Sequence, residues 1–127
     1  MKKIIFTLLL STLVFSSPSY ADWTGVSTNA DGDTFYVDFD RIRKHDGYVY
    51  YWRLSDYLKP TKYGVLSAKS YSQVDCKAFR YKRLSISYYT NSMGNGTLSL
   101  SENVLREWEY LPPNTVGETT LNSVCSH

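Results

Sequence analysis

Histidine and cysteine are scarce: the 127 residues hold two of each. His45 precedes Asp46 and Gly47 in a turn sequence, and His127 is the last residue. No histidine pair therefore has the spacing of a metal site. No serine stands in a Gly-x-Ser-x-Gly elbow, and no glycine loop opens a helix to cradle phosphate. His45 and Asp46 form the one candidate acid–base pair, and neighbours in a turn face water. Asn29, Asp31, Asp33 and Asp40 fall at the first, third, fifth and twelfth positions of a calcium loop. Thr34 occupies the position that needs glycine, and Asp40 replaces the closing glutamate. These positions read as a hairpin turn with solvated carboxylates. The expectation is a protein that is not an enzyme and holds no metal or cofactor.

Long hydrophobic runs are equally few. The single one, Ile4 to Phe15, follows Lys2 and Lys3 and precedes small residues at Ser19 and Ala21. That order of charge, apolar core and small-residue site is a secretory signal peptide. The core is shorter than the ~20 residues a spanning helix needs. Residues 1–21 are predicted to be cleaved, leaving a single domain over 22–127 with no transmembrane segment. The signal carries no cysteine near its end, so no lipid anchor is predicted. Export to the periplasm or beyond the cell follows, with cell-surface association left open; the leader suits a Gram-negative bacterium.

Net charge is also lacking. Without Lys2 and Lys3 the chain carries 12 bases and 12 acids. The distribution is uneven: residues 22–40 hold five Asp and no base, whereas 41–83 hold eleven bases and three acids. Exposed strand faces normally carry such charges, which then cancel in space; gathered on one side they would face an anionic partner.

An exported chain with two cysteines is expected to pair them. Cys76 and Cys125 are 49 positions apart, and such a link stabilises by ~4 kcal/mol in the chain-entropy model. Free catalytic thiols are the competing reading, but neither a resolving partner nor a Cys-x-x-Cys spacing accompanies them.

What is abundant is the β-forming aromatic residue, with 12 Tyr, 5 Phe and 3 Trp. Thr34 to Phe39, Tyr48 to Tyr57, Val65 to Cys76, Arg80 to Thr90 and Thr97 to Ser101 read as strands. Asp31-Gly32 is the favoured pair for a tight hairpin. Asp40 to Lys44 reads as a helical turn capped by Asp40. Asn103 to Tyr110 is ambiguous between helix and strand, with Trp108 and Tyr110 favouring strand. Asn114 to Val124 reads as a helix, because Thr115-x-x-Glu118 fits a capping box. Cys125 follows it directly, so a bond to Cys76 would pin the helix on the face lined by Ala68, Ser70, Ser72 and Val74. The predicted fold is α+β: an antiparallel sheet of about six strands, a C-terminal helix packed on one face, and one disulfide.

Alternation within strands pairs Tyr51 with Arg53, Lys69 with Tyr71, and Tyr81 with Arg83. These six residues are expected on faces away from the helix, as a tyrosine-rich basic ligand surface. Such a surface suits acidic protein segments or sulfated glycans. Export argues against nucleic acid as the partner.

The chain resembles the surface-adhesin protein E-like domains exported by Gram-negative bacteria. The residues that carry the likeness are Tyr36-Val37-Asp38 with Ile42-Arg43, Trp52, and Asp75-Cys76-Lys77 with Arg80-Tyr81. Met93-Gly94, Gly96, Trp108, Pro112-Pro113, Thr115, Gly117 and Cys125 complete it. The resemblance implies a sheet with a packed helix and a Cys76–Cys125 disulfide. It also implies binding of host extracellular matrix or serum proteins such as vitronectin and laminin. The second reading is a periplasmic accessory protein that holds an envelope component. A homodimer is compatible with either.

Overall fold

The computed structural model describes residues 21–103 and 106–127. The predicted signal peptide, apart from Ala21, lies outside the described residues, as do Val104 and Leu105 in the ambiguous segment.

Among the described residues the chain folds as an eight-stranded antiparallel sheet with one α-helix. The strands are β1 (Thr24–Thr28), β2 (Thr34–Val37), β3 (Arg43–His45), β4 (Tyr48–Asp56), β5 (Ser67–Asp75), β6 (Arg80–Tyr89), β7 (Leu98–Glu102) and β8 (Glu109–Tyr110). The helix α1 spans Val116–Cys125. The main path runs β1-β2-β4-β5-β6-β7. Two short strands complete it end to end. β3 pairs with the first half of β4 where β2 pairs with the second. β8 likewise pairs with the start of β6, and β7 with its end.

Turn chemistry sets these hairpins. The two-residue β3–β4 connection is Asp46-Gly47, both at positive φ (51° and 82°). That is the geometry for which an Asp-Gly pair is favoured. The Asp31-Gly32 pair instead lies in a longer β1–β2 loop, where the Asn29 side-chain oxygen accepts from the Asp31 and Asp33 backbone N–H groups. The expected helical turn is a 3-10 turn over Phe39–Arg41. Asp38 precedes it and pairs with Arg41 at 3.3 Å, so Asp40 lies inside the turn and does not cap it. Arg43 to His45 leave it as strand, because extended backbone lets them bond β4.

The capping box at α1 forms. Thr115 Oγ1 accepts from the Glu118 N–H, and Glu118 reaches back to the Asn114 N–H. Leu121 and Val124 point inward from α1 onto Val37, Val49, Tyr51 and Val74. The Cys76–Cys125 disulfide closes that end of the core, with Cα atoms 5.8 Å apart.

The ten residues of α1 make a rod of about 15 Å. The nine residues of β4 extend about 30 Å. The helix therefore covers only one end of its sheet face, chiefly over β1, β2 and β4. The other half of that face has no helix on it among the described residues. The opposite face is capped at one corner by the 3-10 turn Ser92–Gly94. There Met93 N–H donates to Asp56 and Gly94 N–H donates to Ser67. Gly94 is at φ +72°, and a Cβ there would run into the Lys69 side chain.

Candidate ligand-binding surfaces

The face away from α1 is built by alternate residues of β4, β5 and β6. Register places Tyr50 beside Gln73, Trp52 beside Tyr71 and Leu54 beside Lys69. Across the next pair, Gln73 meets Lys82 and Asp75 meets Arg80. The aromatic side chains form two contact groups. Tyr71 stacks on Tyr50 at 6.1 Å and leans on Trp52 at 4.8 Å between ring centroids. Trp108 lies 5.7 Å from Tyr48 and carries two cations on its ring, Arg80 and Lys82, each at 4.4 Å. Lys69 sits over Tyr89 at 5.0 Å. Apart from fully buried Leu54, these residues are half-buried. Their ring faces pack together while their polar ends reach solvent, as in recognition surfaces rich in Tyr, Trp and Arg.

The opposite face beyond α1 differs. Its rows are Tyr51–Ser72–Arg83, Arg53–Ser70–Ile86 and Ser55–Ala68–Tyr88. Ser55, Ser70 and Ser72 are buried small side chains, so this floor lies low between the arginines and tyrosines. A cavity of about 670 Å³ opens at its far end, lined by Tyr57, Val65, Tyr88, Leu100 and Glu102 together with the Thr61–Tyr63 loop.

The six expected ligand residues are thus divided between the two faces. Lys69 and Tyr71 lie on the aromatic face. Tyr51, Arg53, Tyr81 and Arg83 lie on the helix side, and Tyr51 is core at 3% exposure. The expectation that all six avoid the helix-bearing side is corrected for these four. The pairing within each strand was sound, because alternation fixes it. The relation between strands depends on register, and register sets Tyr51 opposite Ser72. Tyr48, Tyr50, Trp52, Arg80, Lys82 and Trp108 were missed as a surface. The alternating Tyr48, Tyr50 and Trp52 carried the signal; Trp108 joins them only through tertiary contact.

Residues 23–126 match the family described as surface-adhesin protein E. The chain belongs to that family. No curated protein sequence matches it. Among solved structures, crystal form II of Haemophilus influenzae protein E superposes with a TM-score of 0.65 at 14% identity, over 86% of this chain and 91% of that one. A second Haemophilus influenzae protein E structure gives 0.62 at 14% identity, over 86% and 87%. Its selenomethionine form gives 0.63 at 14% identity, over 87% and 90%. At such identity the likeness shows a shared fold.

In this adhesin E-family domain the electrostatics follow the faces. Burial raises the Tyr51 hydroxyl pKa above its ordinary value, against the opposing pull of Arg53 and Arg83. Burial raises Tyr57 and Tyr81 in the same direction, and Tyr81 also bonds Glu109 at 3.0 Å. On the other face, the Ala78 N–H and then Arg80 hold the Asp75 carboxyl below the usual range. His45 and Asp46 pair at 3.1 Å, at 73% and 80% exposure. That pair faces solvent. Asn29 and Asp33 are engaged in the loop, where Asp33 accepts from Asn29 and from the Leu58 N–H. Among the described residues no group of three or more His, Cys, Asp or Glu could hold a metal, and no helix is long and apolar enough to cross a membrane. Membership of a family described as a surface adhesin suggests a non-enzymatic protein.

Proposed function

We propose that the domain is an exported, non-enzymatic binding module, and that its aromatic face holds a host extracellular matrix or serum protein. The observation that carries this reading is Trp108 under both Arg80 and Lys82 and against Tyr48, on the same sheet face as the Tyr50–Tyr71–Trp52 cluster. Aromatic anchors with flanking cations are the side chains that dominate binding energy at protein interfaces. Membership of a family described as a surface adhesin supports the same reading. Of the ligand residues expected from sequence, Lys69 and Tyr71 belong to this surface.

The test is binding of the purified 22–127 domain to immobilised matrix and serum proteins, with Trp108→Ala, Tyr71→Ala and Lys82→Glu alongside. Loss of about tenfold or more in affinity for Trp108→Ala, with the fold intact by circular dichroism, is the expected result. Fractionation of the producing cell accompanies it. A protein confined to the periplasm, with no affinity for any host protein, would replace the adhesin reading by that of an accessory protein holding an envelope component.

A further inference from the structure

The helix-side face carries a second feature, independent of the aromatic face. Arg53 and Arg83 both project from it, two strands apart and staggered by one row. The Arg53 guanidinium lies 5.3 Å over the Phe35 ring, and its Nε is buried without a hydrogen-bond partner. Neither arginine has a carboxylate within 4.0 Å among the described residues. A cation taken out of water normally keeps a counter-charge or several acceptors. Buried Ser70 and Ser72 lie beneath them, and Tyr51 and Tyr81 share their face, with the Tyr81 hydroxyl donating to Glu109 at 3.0 Å. A phenol is protonated at neutral pH, its ordinary pKa being about 10, so tyrosines on this face can donate hydrogen bonds. The arrangement is a polar pit with two guanidinium groups and no carboxylate paired to either among the described residues.

The pit leads to the cavity through the next row of the sheet, Ser55–Ala68–Tyr88, whose Tyr88 lines the opening together with Tyr57. The cavity's volume of about 670 Å³ lies within the ~300–1,000 Å³ of small-ligand sites. Its walls away from the pit are Val65, Tyr88, Leu100 and Tyr63. Leu100 and Tyr63 are 51% and 77% exposed, so apolar surface continues to the mouth. Glu102 stands on the β7 edge of the cavity, beside Ile86 at the end of the Arg53 row. Its charge disfavours an anion beside it; Lys62 lines the cavity as well, and the two arginines supply the paired cations next to it.

We propose that this groove binds a single-chain anionic amphiphile, with its head group at Arg53 and Arg83 and its acyl tail along Tyr57, Tyr88 and Leu100. Two sources share that chemistry, a free fatty carboxylate and a lysophospholipid phosphate. No bond is made or broken; the site is a binding site.

The experiment is isothermal titration of the 22–127 domain with dodecanoate and with lauroyl lysophosphatidylglycerol, each below its micellar concentration. Dodecanol serves as the neutral control and acetate as the head group alone. One saturable site for one or both anionic chains is expected, at least about tenfold tighter than dodecanol, with no measurable acetate binding. The tighter arm identifies the source. Arg83→Gln should reduce that preference to about threefold or less, and Arg53→Gln should do the same if its fold is intact. Leu100→Glu, at an exposed position, should weaken both chains together. Lys82→Glu on the aromatic face should change nothing, which separates this site from the protein-binding reading. Equal binding of dodecanol and dodecanoate, or no saturable binding by the unmodified domain, would overturn the proposal.

Discussion

Arg80 donates from Nε to Asp75 Oδ2 at 3.1 Å across the β5–β6 hairpin. The same guanidinium lies over Trp108. The hairpin that carries Cys76 is thereby tied to the aromatic face through one ion pair. Asp75 also accepts the Ala78 N–H at 3.2 Å, so its carboxylate orders the turn as well as the arginine.

That bond makes the hairpin sensitive to acid. The folded Asp75 pKa is lowered, first by the Ala78 N–H and further by Arg80. Its contribution to stability is complete above the unfolded carboxylate value of about 3.9, and it is lost as pH falls through the lower folded value. Asp75→Asn should remove this part of the acid dependence and lower stability at neutral pH. Urea titrations at several pH values read the first effect. A change in tryptophan emission would report Arg80 loosening from Trp108. An unchanged stability profile for the variant would count against the assignment.

Opening the disulfide should cost much more. Cys76 and Cys125 are 49 residues apart, and the chain-entropy model assigns such a loop ~4 kcal/mol. A ten-residue helix is marginal without tertiary support, since isolated helices below about 12–15 residues rarely hold. Cys76→Ser with Cys125→Ser should therefore lower the denaturation midpoint and reduce the helical circular dichroism signal before the sheet unfolds. Equal midpoints with and without reductant would contradict this.

Leu121→Ala tests where the core lies. Leu121 is 1% exposed under α1, and burial of that kind gives a loss of about 2–5 kcal/mol. Leu98→Ala, at a position 51% exposed, should stay within about 0.5 kcal/mol. Denaturant unfolding of the two variants side by side checks the contrast.

At alkaline pH the tyrosines of the helix-side face should lag. Burial raises the pKa of Tyr51, Tyr57 and Tyr81. The unfolded chain ionises its tyrosines near about 10, so folding stability falls as pH rises beyond that value. Phenolate absorbance should show a late-titrating group of tyrosines in the folded protein, reduced by Tyr51→Phe. One uniform transition near the ordinary value, with the fold retained, would rule this out.

The sequence on its own settled what depends on neighbours along the chain. Alternation in β4 and β5 put Tyr48, Tyr50 and Trp52 on one side and Ser70, Ser72 and Val74 together. Thr115 and Glu118 marked the start of α1 through the spacing of a capping box. Pairing of Cys76 with Cys125 followed from there being two cysteines in a chain whose first residues read as an export leader. Only tertiary structure decided which of these faces meet. Sliding a strand by one position moves every side chain to the other face, and strand register is set by packing and hairpin geometry. So Tyr51 and Arg53 went to the helix side with Ser72 and Ser70, while Lys69 and Tyr71 joined Trp52. Trp108 reached Arg80 and Lys82 across more than twenty residues of chain, through a contact no local spacing encodes. The open half of the helix-side face, with Arg53 and Arg83 on its floor, exists because a helix of ten residues is half the length of the sheet it rests on.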